Sequence, residues 1–328
     1  MRFGFLITLS LIFLLPLAVS AQAISNEEAF TMSVNPQYPA PYSQAVLSLL
    51  SSSLDLNNAI MTVSVAGKEV YKGSVRPTAI PVGGAGSVVS AKVTVTSGGA
   101  SYNQTISIQP QDVVLVAEPI SSSPPLYLGK SLVPLEGDVR VVAMANLRGT
   151  KGEIIDTTTL SYSWTVDDTQ IANASGIGKQ SITVASPFQY RTRKVSVAVM
   201  SQDGNLVGGA SLSLSALDPS VRLYKNDPLL GILYDHALSS SYAISNAEET
   251  LYAAPFSLPT TNGAPLIQWF LSGTIAQTGN SITLRPTGKG QGNASLSLTA
   301  SSGGSTKATE NLSLSFGTAS SGFSLFGL

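Results

Sequence analysis

The sequence predicts an all-β protein, built as β-sandwiches in tandem. Three observations predict it. Hydrophobicity alternates with period 2 in "VSVAVM" (195–200), "ASLSLSA" (210–216), "ASLSLTA" (294–300) and "NLSLSF" (311–316), the pattern of strands with one face on a core. These segments recur at a spacing of about 100 residues along the 328-residue chain, which marks internal repetition. Charge is sparse, at 11% of residues against roughly 25% in an average domain. Ser, Thr, Gly and Asn take the outward positions instead.

The chain opens "MRFGFLITLSLIFLLPLAVSAQA". One Arg precedes an apolar run, Pro16 breaks it, and small residues close it at Val19-Ser20-Ala21 and Ala21-Gln22-Ala23. Residues 1–23 are therefore expected to be a cleaved signal peptide. Export implies a cell-surface, periplasmic or extracellular location. The chain has no cysteine, which excludes disulfide staples and a lipid-modified Cys. Lys and Arg total 18, Asp and Glu 19, with no basic stripe, so no nucleic-acid partner is expected.

Three copies of one strand plan follow. The first domain, 27–110, ends in the hairpin "SAKVTVTSGGASYNQTISIQP" (90–110); the second, 111–216, in "VSVAVMSQDGNLVGGASLSLSA" (195–216); the third, 217–317, in "ASLSLTASSGGSTKATENLSLSF" (294–316). Ahead of the last two stand "QSITVA" (180–185) and "NSITLR" (280–285), and ahead of those "LSYSWTVDD" (160–168) and "PLIQWFLSG" (265–273). The two tryptophans, Trp164 and Trp269, thus share one place in the repeat, and Val63 in "IMTVSVAG" (60–67) takes it in the first copy. An indole on a central strand fills the space between two facing sheets, so these three residues are expected in the cores. About seven short strands per hundred residues give the fold class: tandem immunoglobulin-like β-sandwiches.

"LSYSWTVDD", a Gly-bearing turn and "SITV" together resemble the PKD and bacterial Ig-like modules of surface proteins. The residues after each Trp depart from the W-D-F-G-D-G run of strict PKD modules. The mature chain is also similar to exported proteins of candidate-phylum bacteria, in its "DPLLG…Y" and "YSW" segments. The resemblance implies spacers, adhesion parts or assembly modules, and brings no activity with it.

Candidate sites are few. "DPLLGILYDH" (227–236) holds the chain's one histidine, His236. With "PPLYLG" (124–129) it reads as a repeated, stiff, apolar joint between domains, carried by Tyr127, Pro228, Leu230, Tyr234 and His236. Its leucines are expected to pack on the preceding domain. A single His without Cys makes no usual zinc site, and no nucleophile converges on it. The acid pairs Asp167-Asp168 and Glu248-Glu249 read as solvated turn residues, since adjacent strand residues face opposite ways. No catalytic residue, metal or cofactor is expected. The terminal segment 318–328 carries Phe323, Leu325, Phe326 and Leu328, a candidate docking tail.

The function expected is a non-catalytic exported surface protein, a spacer or an adhesion or assembly module. Its partners would be other cell-envelope proteins or glycans. Self-assembly through sheet edges or the tail is a further expectation. The alternatives are a polysaccharide-active enzyme, which needs facing carboxylates, and an accessory subunit of a secretion or pilus complex.

Overall fold

A computed structural model describes residues 29–287, 290–303 and 306–317. The expected signal peptide (1–23) and the docking tail with Phe323, Leu325, Phe326 and Leu328 lie outside the described residues.

The first sandwich is made of β1 (Thr31–Asn35), β2 (Gln44–Leu50), β3 (Ile60–Val65), β4 (Lys68–Ser74), β5 (Thr78–Pro81), β6 (Val89–Ser97) and β7 (Ala100–Ile108). One sheet has the order β1-β2-β5 and the other β4-β3-β6-β7. In the lettering of such sandwiches these are A-B-E and C′-C-F-G. Alternation builds the core: Met61, Val63, Val65 from β3 and Ala91, Val93, Val95 from β6 point inward, while the residues between them point out.

The second sandwich repeats the order. β8 (Asp112–Pro119), β9 (Asp138–Asn146) and β13 (Ser181–Ala185) form A-B-E. β10 (Ser161–Val166), the two-residue β11 (Thr169–Gln170), β14 (Thr192–Met200) and β15 (Val207–Ser215) form the other sheet, with β12 (Gly176–Ile177) also on β10. In the third, β16 (Ser220–Asp227), β19 (Glu249–Phe256) and β22 (Ser281–Leu284) form A-B-E, extended at the edge by β17 (Gly231–Ile232). Opposite lie β20 (Leu266–Leu271), β21 (Thr274–Thr278), β23 (Gly292–Ser301) and β24 (Lys307–Phe316). The third copy adds β18 (Ser240–Ile244), which runs parallel to β24 and closes its free edge.

Each copy thus sets three strands against a sheet built on C, F and G, and each has its own core. The chain is all-β, a tandem array of immunoglobulin-like sandwiches. Equal register ties the copies together: Val63 lies opposite Val93, Trp164 opposite Val197 and Trp269 opposite Leu298.

Candidate functional site

Trp164 and Trp269 are wholly buried on strand C. Each indole N–H donates to a main-chain carbonyl, Lys179 at 2.8 Å and Gly279 at 2.7 Å. Val63 is equally buried, and the large side chains filling the first core are Phe30, Leu47, Met61 and Ile80.

The Pro/Tyr segments are not the connections between successive sandwiches. Tyr127 and the stretch from Pro228 to His236 belong to the loop between strands A and B, inside the second and third sandwiches. Strand A must first run the length of its own domain, eight residues in β16, or roughly 26 Å at 3.3 Å per residue. That distance carries Leu229 and Leu230 away from the preceding domain, and both stand in solvent, 93% and 77% exposed. Asp227 Oδ1 accepts the N–H groups of Leu229 (2.9 Å) and Leu230 (3.0 Å). These bonds hold its carboxyl below the usual carboxylate range and close the turn at Pro228. Tyr234 folds back edge-on to Tyr224 of its own domain, at 5.1 Å. Burial raises its hydroxyl's pKa. His236 is exposed, with Nδ1 3.0 Å from Asp235 Oδ2.

The first and second sandwiches meet at residues 109–111. Gln111 is buried; its side chain donates to Arg148 O (3.1 Å) and accepts from Arg148 N (2.7 Å). Gly86 N donates to Pro110 O at 2.8 Å. A Cβ on Gly86 would lie 2.6 Å from Gly149 O, so glycine permits the approach. Tyr38, from the first A–B loop, lies against Gly209 of β15.

The second and third sandwiches are joined by a short main-chain ladder. Ser122 N donates to Leu258 O (2.7 Å), Ser257 N to Ser122 O (3.2 Å) and Thr260 N to Ile120 O (3.1 Å). The buried Ser257 hydroxyl faces Val133 O and Leu217 O, at 3.2 and 3.0 Å. Thr261 donates to Asp138 (3.1 Å) and Thr306 to Glu136 (3.0 Å). Tyr127 meets Phe256 edge-on at 5.4 Å, so this A–B loop docks on the domain that follows it. Beside the ladder a cleft of about 640 Å³ is lined by Glu136, Asp138, Phe188, Arg193 and Thr261 among others.

The acid pairs divide. Asp167 takes Arg193 at 3.0 Å and Asp168 lies 3.9 Å from Lys194, on a surface turn. Glu248 pairs with Arg285 at 2.6 Å. Glu249, by contrast, is 3% exposed, which corrects its reading as a solvated turn residue. Its Oε1 takes Lys225 Nζ (2.7 Å), Tyr242 Oη (2.8 Å) and Asn246 Nδ2 (3.3 Å). Alternation was the available signal: Glu248 faces out, so its neighbour on the strand faces in. Among the described residues no three His, Cys, Asp or Glu are grouped to hold a metal.

No family model matches the chain, and no curated protein matches it. Among solved structures it is similar to the central fibronectin-III array of RIM-binding protein (10% identity, 87% of this chain and 95% of that one, TM-score 0.31). It is also similar to three N-terminal domains of the bacteriophage RB49 highly immunogenic outer capsid protein (15%, 88% and 99%, 0.23). A third similarity is to fibronectin(III)-like modules of Clostridium thermocellum CbhA (11%, 62% and 93%, 0.23). With TM-scores of 0.31 and below, the fold assignment rests on this chain's own strand order.

Proposed function

We propose that the protein is an exported, non-catalytic module of the cell envelope, which spaces, adheres or assembles there with envelope proteins or glycans. The observation that carries this reading is the bonded junction. Two domains on a free linker would share few contacts, whereas here Ser122, Ser257, Leu258 and Thr260 continue a main-chain ladder from one sandwich into the next. Such joints resist bending, and a stiff series of sandwiches suits projection of a tip. The opening apolar segment supports export.

Small-angle scattering on residues 24–328, extrapolated to zero concentration, tests it. A compact chain of this length has a radius of gyration of about 20 Å. The proposal expects a clearly larger value with the profile of a stiff particle; a value near the compact one overturns it. The polysaccharide-active alternative has one observation on its side, the cleft with Glu136 and Asp138. Both carboxylates there are engaged by threonines of the next domain, which favours a structural part for them.

A further inference from the structure

Both junctions use the same faces. The A–B and E–F loops of one sandwich meet the B–C loop, F–G loop or strand G of the next. In the first junction these are Tyr38 and Gly86 against Gly209 and Gly149. In the second they are Ser122, Val133 and Glu136 against Leu258, Ser257 and Thr306.

The third sandwich has this pole too, with no further domain of the described chain upon it. Register identifies its parts. Val141 pairs with Ile182 and Leu251 with Ile282, so Glu248 stands where the second sandwich has Asp138, the residue that takes Thr261 of its neighbour. Beside it the turn from Pro228 to Gly231 puts Leu229 and Leu230 into solvent. At the other end of the chain the first sandwich offers the complementary pole. Ser53 in its B–C loop donates to Ala29 O just ahead of strand A (3.1 Å), as Ser257 does to Leu217 O (3.0 Å). Ser257 also meets a carbonyl of the preceding domain, Val133 O; Ser53 has no domain ahead of it among the described residues and is exposed.

We infer that the pole of the third sandwich, around Leu229, Leu230 and Glu248, docks the B–C and F–G loops of the first sandwich of a second copy, head to tail. The contact repeats the geometry the chain already uses twice. It is heterologous, so it propagates rather than closing a dimer. It also lacks the tether that makes the internal junctions unimolecular, so it forms at high local concentration. The inference rests on the assembly part of the function proposed above. The two are separable: scattering at infinite dilution reads the single particle, and its change with concentration reads the contact.

The test is sedimentation of residues 24–328 over a concentration series, with three variants. The expected result is a weight-average mass that rises with concentration, at least doubling by about the millimolar range typical of weak contacts. The rise should be suppressed in Leu229→Asp/Leu230→Asp, and kept when residues 318–328 are removed. The native chain has no cysteine, so Leu230→Cys and Ser53→Cys give two single-thiol proteins. A short bis-maleimide should join the mixture of the two and leave Leu230→Cys alone unlinked. A constant mass overturns the inference, as does a rise abolished by removing the tail. Linkage of Leu230→Cys to itself, signalling a two-fold contact, overturns it equally.

Discussion

The Trp269 indole donates to the Gly279 carbonyl at 2.7 Å, two residues ahead of strand β22. Trp164 makes the same bond to Lys179, two residues ahead of β13. Each ring therefore fills its core and also fixes where strand E begins. Trp269→Ala is expected to cost about 3–5 kcal/mol by loss of packing. Trp269→Phe should cost less, about 1–3 kcal/mol, leaving the Gly279 carbonyl without its donor. Urea unfolding checks both. The chain has only these two tryptophans, so in either variant Trp fluorescence reports the second sandwich as an internal control, and the loss in the third is read by circular dichroism.

Gly209 admits Tyr38 from the first sandwich. A Cβ there would lie 2.4 Å from the Tyr38 ring and 2.7 Å from Val197 O. Gly209→Val should therefore push Tyr38 off β15 and cost about 1–3 kcal/mol as overpacking. Faster proteolysis at 109–111, with the sheet spectrum unchanged, is the expected signature. Adding Tyr38→Ala should recover the part of the cost owed to the ring.

What the sequence showed and hid follows from the range of the signals. The strands around Trp164 and Trp269 were legible because alternation is local and the repeat supplies each twice. The A–B loop at Pro228 reads as a connection between domains because Pro, Tyr and Leu in a loop resemble a stiff linker. Only the pairing of β16 with β19 shows that strand A has already crossed its own domain before Pro228. The junction residues Ser122, Ser257 and Gln111 were missed for a related reason. Ser and Gln are common throughout this chain, and their bonds span up to 136 residues of sequence.

Tyr242 gives a pH dependence with a definite sign. Burial, and then donation of its hydroxyl to Glu249, raise its pKa above the ordinary 10.0. The unfolded chain loses this proton near pH 10.0 while the folded chain keeps it. The stabilisation is therefore fully present below that pH and is lost as pH rises toward the folded value. Thermal melts should show an alkaline decline beginning near pH 10. Tyr242→Phe should flatten it, at a cost of about 1 kcal/mol at neutral pH for the lost hydrogen bond. An unchanged alkaline decline in the variant would assign the effect to other tyrosines.

Glu249 is a carboxylate in a place the repeat elsewhere keeps apolar. Its register equivalents are Val139 and Ala45, both wholly buried, opposite Val184 and Ile80 as Glu249 is opposite Leu284. Among the described residues the third sandwich alone has the extra strand β18, and Glu249 bonds Tyr242 from that strand and Lys225 from strand A. The carboxylate thus ties the added strand to the sheet across the core. Its second oxygen, Oε2, is buried without a partner, so part of its desolvation is uncompensated. Glu249→Ala should cost about 1–3 kcal/mol, because Tyr242 and Asn246 lose their acceptor, while Lys225, 30% exposed, can turn to water. Glu249→Val with Lys225→Met restores the apolar pattern of the other copies. Replacing both partners of a buried pair is often neutral or stabilising, so this double variant should regain most of the loss in global stability. Loss should persist in β18, whose amides should exchange faster than those of β24. Slow exchange in β18 without Glu249 would show that pairing with β24 alone holds the strand.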